Sequence, residues 1–290
     1  MAVVGALPAT RAPERAPGRS PERLAAHYAV ERRLAERILA AADAEERQRI
    51  FNTMYDELFR EIPDHPRLLA RAGSAEERER DIGWDLALLQ PYLADGCTFL
   101  EVGAGDCALS ARAASTAGRV YAVEICDQAR RRLPANVELV ISDGRSIPVP
   151  GECVDLAFSD QLMEHLHPDD AAVQLANIRR ALKPGGAYVC ITPNRLYGPS
   201  DISAYFDDEA RGFHLREYTL KELRRIFAQA GFPRMHAYVG ARGVFMRCPC
   251  FVLSALETVL ETLPVKLRRR LAGIKPLRAL LGLRIVGIKG

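Results

Sequence analysis

The chain has 290 residues, 48% apolar and 27% charged, with a formal net charge of +3. That length can bury a full α/β domain with additions, and so small a charge excess argues against a general polyanion-binding surface. Seven scattered cysteines, an odd number, and the lack of a signal-like apolar region around "AVVGAL" point to reduced thiols in a cytoplasmic setting.

Residues 1–20, rich in Ala, Pro and Arg without apolar periodicity, read as a disordered N-terminus. From Pro21 a helical stripe of Leu24, Tyr28, Leu34, Ile38 and Leu39 begins, and a second helix spaces Ile50, Met54, Leu58 and Ile62 four apart. "PDHP" at 63–66 breaks it, and Ser74-Ala-Glu-Glu77 caps a third helix running to about Leu93. Residues 21–95 therefore form a helical extension. Trp84 and Tyr92 in it suit either core packing or the wall of an acceptor pocket.

After Gly96 short apolar strands alternate with helices. Strands are expected at about 97–102, 119–124, 137–141, 153–159 and 186–192, with helices near 107–117, 126–133 and 168–182. This alternation implies a parallel sheet with right-handed crossovers. A helix at about 218–230 and a strand at 234–240 complete a core over 96–246. "PCFVLSALETVLETL" then predicts an amphipathic helix with Ser254, Glu257, Thr258 and Glu261 on its polar face. A basic helical stretch follows, and "LRIVGIKG" closes the chain, so 247–281 reads as a helical insertion and 282–290 as the final core strand. Cys248 and Cys250 have no further ligand close in sequence, so no metal site is expected. No apolar run approaches the ~18 residues of a membrane span.

The segment "FLEVGAGDCALS" reads as a strand, a glycine turn and a helix. Gly103-Ala104-Gly105 fits a dinucleotide or an S-adenosylmethionine equally well, and Glu124, ending the second strand, suits the ribose hydroxyls of either. Glu101 separates them. A carboxylate at the mouth of the loop repels a phosphate, whereas S-adenosylmethionine has no phosphate and carries an ammonium and a sulfonium. "VISDGRSIPVP" places Asp143 to receive an adenine amine, with Gly144 and Arg145 backbone at the ring edge.

These segments, with "VYAVEI", "VDLAFSDQLMEHLHPDD" and "LKPGGAYVCITPN", resemble in order the class I S-adenosylmethionine-dependent methyltransferases, in the type 11 group related to ubiquinone-biosynthesis methyltransferases. The resemblance covers about 97–194. It implies a Rossmann-like α/β fold: a seven-stranded, mostly parallel sheet with helices on both faces. It also implies S-adenosylmethionine as cofactor. Glu101 would meet the methionine ammonium over the Gly103, Ala104 and Gly105 backbone. Glu124 would hold ribose, Ile125 would pack on adenine, and Asp143, Gly144 and Arg145 would meet its edge. Ser159 and Asp160 would lie by the methionine part and the methyl group. Cys107 stands where many relatives have a third glycine, which implies a shifted helix start.

Methyl transfer to a hydroxyl gains from a general base. Asp160, His165 and His214 are the candidate catalytic residues, His165 first because histidine titrates near neutrality. His167, before Pro168, fits a helix cap. The expected reaction is O-methylation of a small-molecule, sugar or lipid-linked intermediate. N- or C-methylation, a nicotinamide-dependent oxidoreductase and a non-catalytic cofactor-binding subunit are the alternatives. No nucleic-acid module is present. The 264–290 stretch, with eight basic and no acidic residues, reads as a solvated face of a capping helix, with peripheral membrane contact as the other reading.

Overall fold

Five parallel strands carry the middle of the chain: β1 (Thr98–Val102), β2 (Arg119–Glu124), β3 (Val137–Ile141), β4 (Val154–Asp160) and β5 (Leu182–Thr192). The computed structural model describes residues 19–65, 75–125 and 132–290. Three further strands, β6 (Arg234–Ala241), β7 (Val244–Cys248) and β8 (Leu283–Ile288), extend one sheet in the order β3-β2-β1-β4-β5-β8-β6-β7. β8 runs antiparallel to both β5 and β6. The order reverses at β1 and β4, so a crevice opens at their carboxyl ends, the usual ligand position in such sheets.

The sheet has eight strands rather than the seven expected. The added strand is β7, which closes a hairpin with β6 through a two-residue turn, Arg242 (φ 56°) and Gly243 (φ 79°). Both left-handed residues match a type I′ hairpin turn. Val244 and Met246 on this edge strand are largely exposed, so no buried alternation marked it in the sequence. β5 also begins earlier than expected. It runs from Leu182 through the Pro-Gly-Gly segment, with a register shift between Val154 and Leu156 on its partner that accommodates Pro184.

Helices α1 (Pro21–Leu39) and α2 (Ala44–Glu61) form a hairpin, followed by α3 (Ala75–Leu89). Ser20 caps α1, and Leu24, Tyr28, Leu34 and Ile38 are buried as the stripe required, while Leu39 is exposed. The proposed cap at Ser74, residues 1–18 of the segment expected to be disordered and most of the 126–133 helix lie outside the described residues. Arg19 and Ser20, expected to be disordered too, are instead ordered, bonding Asp64 and capping α1. α4 (Ala108–Ala113) is shorter than expected, with Cys107 preceding it in the left-handed region at φ 59°. α5 (Pro168–Ala181) and α6 (Leu220–Gln229) cover one face of the sheet, where Tyr188, Leu175, Ile178 and Phe227 interlock. On the other face Leu89 of α3, Leu109 of α4, Phe99 and Val286 pack together.

The stretch between β7 and β8 folds as α7 (Cys250–Glu261), α8 (Val265–Ala272) and α9 (Lys275–Leu281). Its expected polar face is overturned in part. Glu257 is buried, accepting from the Leu220 and Lys221 amides and from Asn194 Nδ2, so it satisfies the orphan donors opening α6. Phe251, Val252 and Val259 face out instead, whereas Thr258 and Glu261 are exposed as expected.

Arg47 of α2 donates to both Asp170 oxygens, each at 2.7 Å, tying the hairpin to the first turn of α5. Both side chains are buried, although this flank lies close beneath the surface. Arg47→Ala is expected to destabilise the fold by about 2–3 kcal/mol, below the ~3–5 kcal/mol of a deep pair, because Asp170 keeps its charge with only Arg145, at 3.9 Å, left beside it. Arg47→Met with Asp170→Leu should recover most of the loss. No loss in Arg47→Ala, or a double variant no more stable than Arg47→Ala, in denaturant melts would contradict the pairing.

Candidate functional site

The glycine turn joins β1 to α4 at the crevice. Gly103 has φ 77° and Gly105 φ 56°, conformations that glycine adopts without steric cost. A Cβ on Gly103 would press to 3.2 Å from Leu162, whereas one on Gly105 would meet no protein atom within 4 Å and would fill the open space beside the loop. Close backbone approach by a ligand therefore requires glycine at 105. Cys107 takes the same left-handed conformation at 0% exposure, packed with Ala104 and Ala122, so a larger residue does the third glycine's work.

Carboxyls surround this turn. Glu101, buried at the end of β1, accepts from Ser110 Oγ at 2.5 Å. Burial pushes its carboxyl up to about 8, and Asp85 and Asp106 add to this. Asp85, on α3, is driven to about 7 by burial, then by Asp160 and Asp81. Asp160 keeps solvent contact although protein surrounds it on most sides, and that loss of water moves it to about 6. Burial disfavours the ionised form of all three acids, and Glu101, acted on by Ser110 and further acids but by no cation, is the one whose charge calls for a bound cation. Arg284 interacts with Asp85 and Asp160, and burial lowers its own affinity for a proton. Asp85 escaped sequence reasoning because nothing in "ERERDIGWD" distinguishes it from its acidic neighbours.

Glu124 accepts from the Gly105 amide at 2.8 Å and from the Ile125 amide at 2.7 Å, one on each oxygen. A carboxylate has about four lone-pair sites, so each oxygen retains capacity for a ribose hydroxyl. Asp143 accepts from the Arg145 and Ser146 amides through Oδ1. Partial burial pushes its carboxyl up, but those amides and Arg145 hold it below the ordinary range. Gly144, at φ 82°, and Arg145 are anchored to α5 by Gln174 and Asn177, which donate to their carbonyls. The loop is thus preorganised from behind. Ser159 is turned away: its hydroxyl meets Tyr188 OH at 2.8 Å in the core, leaving its backbone toward the crevice.

Beyond β4, Glu164 and His165 lie in a short 3₁₀ turn (Met163–His165). His165 Nδ1 lies 2.8 Å from the Phe213 carbonyl, and its ring meets that of His214 edge to face at 5.0 Å. His214 Nδ1 lies 2.7 Å from Glu217 Oε1. Burial would lower His214, but Glu217, Asp201 and Glu164 together raise it above its ordinary value. The fold therefore brings both candidate histidines together, 49 positions apart in sequence. His167 accepts from the Asp169 amide and caps α5. Trp84 and Tyr92 do not approach this region. Trp84 packs beside Gly243, and Tyr92 OH bonds His236 and Tyr238 at the β6 edge.

Residues 100–190 match the family model of a methyltransferase domain. A probable S-adenosylmethionine-dependent methyltransferase of Mycolicibacterium smegmatis is 32% identical over 142 residues, 47% of this chain and 52% of that protein. A malonyl-[acyl-carrier protein] O-methyltransferase of Xylella fastidiosa is 33% identical over 92 residues, covering 32% of this chain and 23% of its own. Over the first curated relatives it matches, the chain spans about half their length or less. Among solved structures, the 1,6-didemethyltoxoflavin-N1-methyltransferase of Burkholderia thailandensis superposes with a TM-score of 0.53 at 16% identity, covering 86% of this chain and 91% of that one. An Archaeoglobus fulgidus S-adenosylmethionine-dependent methyltransferase gives 0.50 at 19% identity, over 72% and 94%. These two likenesses establish the shared fold.

Proposed function

We propose that this chain, which belongs to the class I S-adenosylmethionine-dependent methyltransferases of the type 11 group, methylates an oxygen of a small-molecule, sugar or lipid-linked acceptor. The observation that carries the reading is the buried Glu101 carboxyl just ahead of the glycine turn, which accepts from Ser110 Oγ and has no cation acting on it. Such a carboxyl attracts an ammonium and a sulfonium and repels the phosphates of a nicotinamide dinucleotide.

When bound, the cofactor supplies an electrophilic methyl group on sulfur. Glu101 would hold its ammonium, Glu124 its ribose hydroxyls and Asp143 its adenine amine, with Ile125 and Asp160 as the remaining residues that would contact it. In-line displacement depends on alignment, worth roughly 7–11 kcal/mol at best. His165 and His214 activate the acceptor oxygen, with Phe213 and Glu217 fixing their rings. His214→Ala should lower kcat about 10²–10⁴-fold with cofactor affinity retained. Wild-type turnover in this variant and in His165→Ala would remove both from the chemistry.

The products of reaction with methyl-labelled cofactor and fractionated cell extract test the acceptor. The carbon shift of the new methyl separates oxygen from nitrogen or carbon attachment, and only an O-methyl product supports this assignment.

The lipid-linked member of the acceptor class is favoured by α7, α8 and α9. Their inner sides meet around Leu196, Leu260 and Ala272, while Phe251, Val252, Val259, Leu267 and Ile274 remain exposed. Lys266, Arg270 and Lys275 are exposed among them. Not all the basic residues belong to this face, since Lys289 is buried on Glu152 and Arg269 pairs with Asp208. Apolar residues interspersed with cations suit an anionic lipid surface. No helix among the described residues is long and apolar enough to cross a membrane. The chain should float with anionic vesicles and lose this in Phe251→Ser/Leu267→Ser; absence of cosedimentation would end the membrane assignment.

A further inference from the structure

We infer that Glu164, His165 and His214 form a binding site for a divalent first-row transition metal, placed to hold the acceptor oxygen. Each residue presents one ligand atom within 4.8 Å of the other two. Bonds of about 2.0–2.2 Å would bring those atoms about 3–3.5 Å apart, a closure within reach of small side-chain rotations.

The carboxylate gives the independent sign. Glu164 is fully buried, and Oε2 accepts from Thr192 Oγ1 at 2.9 Å, but Oε1 has no hydrogen-bond partner. A buried acceptor without a donor is costly, and a cation is the ligand that satisfies it. Both imidazoles are oriented from behind. The Phe213 carbonyl lies beside one Nδ1 and the Glu217 carboxylate beside the other, the arrangement that fixes tautomer and ring plane in metal-binding histidines. Glu217 is itself held by the Ser200 amide at 2.6 Å.

A second trio, His27, Glu31 and His65, shows the contrast. Both Glu31 oxygens already have donors: His27 and His65 on Oε1, and the Phe213 amide on Oε2. Arg19 donates to His27 Nδ1, setting a fixed cation beside that cluster. It is complete without a metal.

Two imidazoles and one carboxylate favour Mn²⁺ through Zn²⁺ over Mg²⁺ or Ca²⁺, and three protein ligands leave coordination positions open. Glu164 lies four residues beyond Asp160, which ends β4, so a metal there would stand at the carboxyl end of that strand. With both imidazoles on the metal they would activate the acceptor through it rather than as free bases. A hydroxyl held there would be made more acidic and would give its proton to water, and chelation would favour acceptors with two adjacent oxygens. This role for the acceptor rests on the methyltransfer reading; the binding of metal does not.

The test titrates the untagged full chain, stripped of metal, with Zn²⁺ and Mn²⁺ by calorimetry, and with Co²⁺ by its visible absorption. One equivalent should bind. Glu164→Gln and His214→Asn should each weaken binding at least about a hundredfold, while His236→Gln, at the β6 edge, leaves it unchanged. Melting curves and S-adenosylhomocysteine affinity check that each variant is folded, and His214→Asn decides if Glu164→Gln is not. No binding at millimolar metal, or binding indifferent to both site variants, would overturn the proposal. A chain that binds metal but not S-adenosylhomocysteine would overturn the methyltransfer reading and leave the site standing.

Discussion

Glu101→Gln is expected to weaken S-adenosylhomocysteine binding about thirty- to a hundredfold while making the ligand-free protein more stable at alkaline pH. The opposed signs have one cause. Glutamine keeps the shape and the bond to Ser110 but removes the charge that an ammonium needs, and a charge-assisted hydrogen bond contributes about 1.5–3 kcal/mol. Without ligand that charge is a burden. Burial pushes the Glu101 carboxyl to about 8, well above its unfolded value. The folded state therefore binds more protons than the unfolded one in this window. The stabilising effect is fully present below the unfolded pKa and is lost as pH rises through about 8. Ligand-free melting temperature should fall over that range, less steeply in the variant. Binding should release a proton at neutral pH, so affinity rises with pH until about 8. Calorimetry in buffers of different ionisation heats reads the proton directly; uptake, or no proton change, would contradict the ammonium assignment.

Glu31→Gln should destabilise the α1–α2 hairpin by about 3 kcal/mol at neutral pH and flatten the acid limb of the stability curve. Burial would raise this carboxyl, but hydrogen bonds from His27 and His65 and the Phe213 amide hold it at about 2. For a depressed carboxyl the stabilisation is present above the ordinary glutamate value of 4.5 that the unfolded chain has, and is lost as pH falls toward 2. Through Phe213 the same carboxylate positions the backbone that anchors His165. The variant should therefore also lower turnover, with cofactor affinity little changed. Equal stability of the two proteins from neutral pH down to about 3 would contradict the clasp.

The centre of the fold was legible because its strands are buried on both faces. β1, β2 and β4 read as short apolar runs, and their ends fell within a residue of the expected positions. The turn was legible because the left-handed backbone at Gly103 and Gly105 calls for glycine. β7 was hidden because an exposed edge strand carries no burial pattern, although Arg242-Gly243 between apolar residues was a usable hairpin signal. Glu257 was misplaced because helical periodicity cannot tell a solvated carboxylate from one that caps a neighbouring helix. Asp85, and the meeting of His165 with His214, depend on contacts between distant segments, and no local pattern encodes those.

The most direct measurement is calorimetric titration of the full chain with S-adenosylhomocysteine and, separately, with NADH. One equivalent of S-adenosylhomocysteine should bind, with no heat from NADH beyond dilution. Binding of NADH without S-adenosylhomocysteine would contradict the assignment of these carboxyls to a phosphate-free, cationic cofactor.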